Sequence, residues 1–504
     1  MSAISNNDPV AVIGAGTMGA GIAQVAATAG HPVTLIDIAE GMADKGKANI
    51  ENGLAGLVKR GKKNQQDVDM ILERITTSNQ IEDAGKSALV IEAIVEDLKI
   101  KQSLFADLET FCSQNTIIAS NTSSISISAL SSKCQHPQRI VGMHFFNPAA
   151  ILKLVEVISG LHTCPEVANS IYDTCLAWGK KPVHAKSTPG FIVNRVARPY
   201  YAEGLRSLNE QVASVSTLDS LMRSCGGFKM GPFELTDLIG QDVNSSVTEL
   251  VYQAFFQDKR FMPSIIQTEL VSAGLFGRKT GRGFYDYSTD KPTIDSEPLI
   301  TTQKQPENAI IVGEIDLADG LEAALSSSPI NVDKKTLGKE IAILFGEAIL
   351  KPSDGLTATE LAAQTNEPNI VLFDYAINYE TCELVGIAFA EQANQQARLD
   401  AVKFFQLLGK EVCVLKDVPG LQVLRTISML ANEAFDAVNQ GICDIEGVDT
   451  AMQAGVAYPK GPIAWAHEIG LSRIVSILNN IQSSYGEERY RVSPLLARLQ
   501  HAKT

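Results

Sequence analysis

Residues 10–37 set the architecture. The apolar run Val10-Ala11-Val12-Ile13 has strand length, Gly14-Ala15-Gly16-Thr17-Met18-Gly19 follows, and the small-residue stretch 20–29 reads as a helix. A second strand, Pro32-Val33-Thr34-Leu35-Ile36, ends in Asp37. Strand, glycine turn, helix, strand and acid together form the β-α-β unit of a dinucleotide-binding sheet. In such a unit Gly14 permits the tight turn, Gly16 lets the backbone approach a pyrophosphate at the positive helix end, and Gly19 lets helix and strand pack closely. Thr17 and Met18 open that helix and complete the candidate cofactor loop. Asp37 is placed to accept hydrogen bonds from the adenosine ribose and to repel a 2′-phosphate, which favours NAD over NADP. Glycines that merely make a turn are the bland alternative, and FAD is the sharper one, because the same fingerprint serves it.

The pattern continues. Strand-like runs recur at 89–91, 116–119 and 139–142, with helical stretches such as 99–112 between them. Alternation of this kind predicts a doubly wound, parallel, Rossmann-like α/β sheet over about residues 1–186. From Pro189 the period becomes helical, at 190–212, 217–225 and 232–256, so residues 187–290 are expected to form a small all-α domain. Residues 288–306 are polar, carry Pro292, Pro298 and Pro306, and read as a linker. A chain of 504 residues exceeds one hydrophobic core and predicts three to four domains.

An internal repeat supplies the rest. Trp178-Gly179-Lys180 aligns with Leu408-Gly409-Lys410, an offset of 230 residues. The same offset pairs Pro189-Gly190 with Pro419-Gly420, Arg195 with Arg425, Glu203 with Glu433, Asp219 with Asp449, Gly231-Pro232 with Gly461-Pro462 and Gly240 with Gly470. The helical domain is therefore duplicated, with a second copy at 417–504. Between the copies, residues 291–416 are expected to hold the linker and a degenerate Rossmann-like segment with strands near 309–312 and 369–373. There Val385-Gly386-Ile387-Ala388-Phe389 echoes Val141-Gly142-Met143-His144-Phe145, with Ala388 in the histidine's place.

The formal charge of −14 argues against non-specific nucleic-acid binding. It also repels anionic substrates, so any anion site needs local cations. No run approaches the roughly 20 apolar residues of a spanning helix. Residues 1–9 show no secretion signal, so no membrane association is expected. The eight cysteines are scattered, without a CxxC pair, which fits a reducing cytoplasm and neither a metal nor a disulfide.

Two polar residues stand out against apolar surroundings. His144 follows a strand, at the carboxyl edge where α/β sheets hold ligands, and Glu156 interrupts the apolar run Lys153-Leu154-Val155-Glu156-Val157-Ile158. A carboxylate in such a run is costly unless paired. Removing hydride from a secondary alcohol requires a base for the hydroxyl proton, and histidine titrates in the useful range. An adjacent carboxylate fixes its tautomer and stabilises the imidazolium. Taken singly, each residue is more often structural.

The segments 142–148 (Gly-Met-His-Phe-Phe-Asn-Pro), 153–158, 121–124 (Asn-Thr-Ser-Ser) and 188–195 (Thr-Pro-Gly-Phe-Ile-Val-Asn-Arg) together resemble the signatures of the 3-hydroxyacyl-CoA dehydrogenase family. Segments 231–235 and 281–285 extend the likeness over about residues 8–287. The resemblance implies NAD as cofactor, an acyl-CoA thioester as substrate, His144 as base and Glu156 as its partner. It implies that Ser123 and Asn194 hydrogen-bond the substrate and that Asn147 supports the histidine loop. Glu96 and Lys101, with Asn121 and Asn147, fall at cofactor-binding positions. Lys59 and Arg60, in the basic knot Lys59-Arg60-Gly61-Lys62-Lys63, are candidates for a coenzyme A phosphate clamp, or simply a solvated helix end.

Leu424 stands where Asn194 stands in the first copy, so the second copy is expected to be catalytically empty. With only residues 1–9 ahead of the first strand, no hydratase domain is expected there. The double helical domain and residues 194–201 look most like bacterial enzymes of aerobic phenylacetate breakdown, which oxidise 3-hydroxyadipyl-CoA. A 3-hydroxybutyryl-CoA enzyme is the alternative, and a non-catalytic NAD-binding protein the rival from another class. Single-copy family members dimerise through the helical domain, so the two copies are expected to pair within one chain, with further homo-oligomers open.

Overall fold

The computed structural model describes residues 2–298, 308–313, 320–335 and 341–502. They form two compact units, residues 1–195 with 440–456, and residues 196–439 with 457–504. These units cut across the four segments expected from the sequence, because residues 440–456 of the second helical copy belong with the first sheet.

The first unit is built on eight strands: β1 (Val10–Ile13), β2 (Val33–Ile36), β3 (Ile75–Ser78), β4 (Leu89–Glu92), β5 (Ile117–Ser120), β6 (Ile140–Phe145), β7 (Leu154–Ser159) and β8 (Lys181–Lys186). Their order is β3-β2-β1-β4-β5-β6-β7-β8. Central strands are buried on both faces, which is why they read as unbroken apolar runs rather than alternating ones. The helix Thr17–Ala29 is rich in alanine and glycine, so it lies close against the sheet. One expectation needs correcting: the sheet is not wholly parallel. β6 and β7 run antiparallel, joined by residues 146–153, a connection too short for a helical crossover. β8 and β3 were not foreseen. β8 is edge-like in sequence, with buried and exposed residues mixed, and the helix Ile445–Val456 packs against both β7 and β8.

In the second unit the expected remnant is a full seven-stranded mixed sheet. It contains β9 (Asn308–Val312), β10 (Asn331–Lys335), β11 (Ala342–Phe345), β12 (Ala348–Pro352), β13 (Ile370–Phe373), β14 (Leu384–Phe389) and β15 (Glu411–Val414), in the order β10-β9-β11-β12-β13-β14-β15. Of the expected linker, residues 299–306, with Pro306, lie outside the described residues. The described part is anchored rather than free. Ser216 Oγ donates to the Thr293 carbonyl at 2.9 Å, Asp295 N donates to Thr217 Oγ1 at 2.9 Å, and Glu297 N donates to the Val412 carbonyl at 2.8 Å.

The 230-residue offset carries further into the sheets than the sequence motifs indicate. It maps β7 residue for residue onto β14, and the helix Pro165–Ala177 onto the helix Gln395–Leu407. β14 is therefore the counterpart of β7, not of β6. This overturns the assignment of Ala388 to the histidine's place: Gly386 corresponds to Glu156, and the strand beside it, β13, corresponds to β6. Apolar residues around one glycine fit either strand, and only the pairing register tells them apart. At the domain entrances the backbones also agree. Gly190 and Phe191 have φ of 74° and 48°, and Gly420 and Leu421 have 75° and 52°. Both turns are left-handed, a conformation that a non-glycine residue holds only when its surroundings fix it.

The second unit also contains both copies' long helices. Helix Arg198–Asn209 packs on helix Val423–Asn439, and Arg425 Nε lies 3.2 Å from Glu203 Oε2, both fully buried. Phe228 from the first copy meets Tyr458 and Trp465 from the second, with ring centroids 5.0 and 5.5 Å apart. Aromatic pairs of this kind contribute about 0.5–1.5 kcal/mol each beyond their buried area.

Candidate active site

The antiparallel β6–β7 pair creates the site. It sets His144 directly opposite Glu156, where cross-strand side chains on one face are neighbours. His144 Nδ1 lies 2.6 Å from Glu156 Oε2, with both side chains buried. A carboxylate accepts, so Nδ1 donates in this contact and Nε2 is left out of it. The other carboxylate oxygen, Oε1, accepts from the backbone amides of Ile192 and Val193 at 3.0 and 2.9 Å. Glu156 is thereby held by the turn that also delivers Asn194. Phe146 and Phe191 flank the imidazole at centroid distances of 4.5 and 5.9 Å and restrict its rotation.

His144 opens on a cavity of about 360 Å3. The same cavity is lined by Met18, Glu96, Lys101, Asn121, Ser123, Asn147 and Asn194, so residues scattered over some 180 positions of sequence converge here. Glu96 organises one wall. Its Oε1 accepts from Thr122 Oγ1 at 2.6 Å, from Ser124 Oγ at 2.8 Å, and from the amides of Ser123 and Ser124 at 3.0 and 3.1 Å. Burial alone would raise the Glu96 pKa. The charge of Lys101 and the hydroxyls of Thr122 and Ser124 outweigh it and hold the carboxyl below its ordinary value. Asn121 Oδ1 accepts from the amide of Phe145 at 2.8 Å and so ties this loop to the end of the histidine strand. Asn147, also expected to support this loop, is exposed and lines the cavity.

Sequence reasoning missed Glu92. It ends β4 fully buried, 2.6 Å from Lys101 Nζ, and accepts from Ser120 Oγ at 2.7 Å. Lys101, only 1 % exposed, also lies 3.1 Å from Glu96 Oε2, so it bridges two carboxylates beneath the cavity. The available signal was a lone acid closing an apolar strand, as Asp37 closes the second one. Lys59 and Arg60 lie elsewhere, exposed at the end of the helix Met42–Lys59, and do not line the cavity.

Comparison with known proteins agrees with this geometry. The family described as 3-hydroxyacyl-CoA dehydrogenase, NAD binding domain, matches residues 9–188, and its C-terminal domain matches twice, at 190–287 and 420–504. The 3-hydroxybutyryl-CoA dehydrogenase reduced Rossmann-fold domain matches residues 350–419. A 3-hydroxyadipyl-CoA dehydrogenase of Escherichia coli (strain K12) is 43% identical over 492 residues, covering 97% of each chain. The chain belongs to the 3-hydroxyacyl-CoA dehydrogenase family. A crystal structure of a 3-hydroxybutyryl-CoA dehydrogenase from Escherichia coli K12 superposes with a TM-score of 0.90 at 40% identity, covering 98% of both chains. The human mitochondrial hydroxyacyl-coenzyme A dehydrogenase is 42% identical over 284 residues, which cover 55% of this chain and 90% of that one.

As in a family whose first domain binds NAD, the glycine loop is shaped for a dinucleotide. A Cβ on Gly14 would lie 2.5 Å from the Ala93 carbonyl oxygen, and one on Gly19 would collide with the Gly14 carbonyl. Above Gly16 the space is open, and the following helix has no side-chain cap, so its first amides remain available to a phosphate. Asp37 Oδ2 accepts from the Ala15 amide at 2.9 Å, which fixes the loop against the end of β2. Beside Asp37 a second cavity of about 350 Å3 is walled by Ile13, Ile38, Ile81, Ile94 and Ile100, an apolar slot suited to an adenine ring.

Proposed function

We propose that this chain oxidises the 3-hydroxyl of an (S)-3-hydroxyacyl-CoA thioester, with His144 as general base and Glu156 as its positioning partner. The observation that carries this reading is the 2.6 Å contact between the buried Nδ1 and Oε2 atoms at the wall of a cavity that also presents Ser123 and Asn194. His144 Nε2 takes the hydroxyl proton while the C3–H bond breaks with its electron pair and the carbonyl forms. Glu156, fixed by two backbone amides, stabilises the imidazolium without taking the proton. Ser123 and Asn194 orient the substrate oxygens. Gly14, Gly16, Thr17, Met18, Gly19 and Asp37 hold the dinucleotide, with Glu96, Lys101, Asn121 and Asn147 toward its reactive end. When bound, NAD supplies the hydride acceptor.

The substrate we favour is 3-hydroxyadipyl-CoA, which places the enzyme in aromatic-acid catabolism in the cytoplasm. The end-to-end relative named for that substrate supports the assignment. A second reading, 3-hydroxybutyryl-CoA, is supported by the name of the superposing crystal structure. Initial rates of NADH formation with both thioesters decide between them. The favoured reading expects the higher kcat/KM for the dicarboxylyl thioester; a preference for the four-carbon substrate overturns it.

The reading also assigns four segments: a dinucleotide domain over 1–186, a catalytic helical copy over 187–290, a linker and reduced sheet over 291–416, and a non-catalytic helical copy over 417–504. In it the two helical copies pair within one chain. The packing of helix Arg198–Asn209 on helix Val423–Asn439 supports that pairing. Lys59 and Arg60 are assigned to the coenzyme A phosphates, which suits their exposure and charge.

A further inference from the structure

The second unit contains a cavity of about 320 Å3, and none of its lining residues lines the His144 cavity. That volume lies within the range of about 300–1,000 Å3 typical of small-molecule sites. Four arginines line it, although the chain is acidic overall. Three of them face carboxylates. Arg206 Nη2 is 2.9 Å and Arg489 Nε 3.2 Å from Glu487 Oε2, and Arg260 Nη1 is 3.0 Å from Glu433 Oε2.

Arg198 is different. It is 5 % exposed, and among the described residues no carboxylate pairs with it. Its Nη1 donates to Thr248 Oγ1 at 2.9 Å, its guanidinium lies 4.8 Å from the centroid of the Tyr201 ring, and its buried Nε has no partner. Burial lowers its pKa, and only the phenols of Tyr201 and Tyr458 act against that. A guanidinium does not give up its proton in a protein, so this is a permanent, desolvated charge without a counter-ion. The same cavity is apolar along Leu205, Phe261 and Pro263 and opens past Met262 and Ile265, the latter largely exposed.

The geometry points to a binding site for a small carboxylate anion with an apolar chain, in which Arg198 is the counter-ion. The planar fork of one unmatched arginine fits a carboxylate, whose two oxygens accept in parallel. Glu210 and Glu487 also line the cavity and repel a dianion, so a monocarboxylate suits the site better than a phosphate dianion. The apolar wall and lip take the chain. The site is separate from the reaction assigned to His144.

Titration calorimetry on the full-length protein with hexanoate, hexan-1-ol and inorganic phosphate tests this. Hexanoate is expected to bind saturably at one site per chain, with the alcohol and phosphate at least about tenfold weaker. Arg198→Gln is expected to weaken hexanoate about tenfold or more, the scale of a charge-assisted hydrogen bond. Ile265→Glu alters an exposed side chain and keeps the fold; its charge at the lip is expected to weaken hexanoate as well, so the test survives if Arg198→Gln does not fold. Absence of saturable hexanoate binding to the wild type, equal binding of the alcohol, preference for phosphate, or unchanged affinity in Ile265→Glu overturns the proposal.

Discussion

Asp374 occupies in the second sheet the place that His144 holds in the first. His144 lies opposite Glu156 across β6 and β7, and Asp374, one residue beyond β13, donates its amide to the carbonyl of Gly386, the counterpart of Glu156. Asp374 Oδ2 accepts from the amides of Gln422 and Val423 at 2.9 and 2.7 Å, the two positions that correspond to Ile192 and Val193. The carboxylate clamp on these two amides survives, supplied from the neighbouring strand, while the histidine is gone.

Asp374→Ala is therefore expected to destabilise the protein without touching His144. It removes a buried acceptor from the amides of Tyr375, Gln422, Val423 and Leu424. A loss of at least about 3 kcal/mol is expected in denaturant unfolding followed by a probe of the second unit. A loss below about 1 kcal/mol would show that the clamp is dispensable.

The proposed reading places cofactor choice on Asp37. Asp37→Ala is expected to narrow the preference for NAD over NADP in kcat/KM. It also frees the Ala15 amide, so NAD affinity should fall at the same time. A wild type that uses both cofactors equally contradicts this role.

The Glu96 carboxyl, held below its ordinary 4.5, gives a pH signature. Its folded-state pKa lies below its unfolded one, so its stabilising contribution is complete above about pH 4.5 and is lost as pH falls through the folded value. Glu96→Gln should lower Tm at neutral pH, and the gap between wild type and variant should close in acid. A gap that stays constant down to pH ~3 would remove Glu96 from the account.

Deletion of the chain after Lys416 tests the role of the second copy. It removes the almost wholly buried helix Val423–Asn439 from its packing on Arg198–Asn209, and the helix Ile445–Val456 from β7 and β8. Aggregation or new dimerisation is expected, with activity lost indirectly. A soluble, monomeric and fully active truncation would refute the pairing.

What was legible in sequence follows from how local each signal is. The glycine loop and Asp37 lie within one β-α-β unit, so spacing alone exposed them. His144 and Glu156 are twelve residues apart on adjacent strands, and each broke an apolar pattern. Glu92 broke one too, at a strand end where an acid looks like a boundary, and its partner Lys101 lies on the following helix. Asp374 was hidden because the repeat is visible only in turns and glycines. The strands kept hydrophobicity but not identity, so the likeness of residues 385–389 to 141–145 pointed at Ala388, and only strand register corrected it. The arginine cavity was invisible because its walls are assembled from residues 198–267 and 485–489.

The most direct test of the central claim is the disappearance of NADH absorbance with acetoacetyl-CoA, for wild type and His144→Ala, alongside NADH titration by fluorescence. The account predicts turnover in the wild type, at least about 100-fold less in the variant, and NADH affinity within a few-fold of normal. Near-normal turnover in His144→Ala, or none in the wild type, would contradict it.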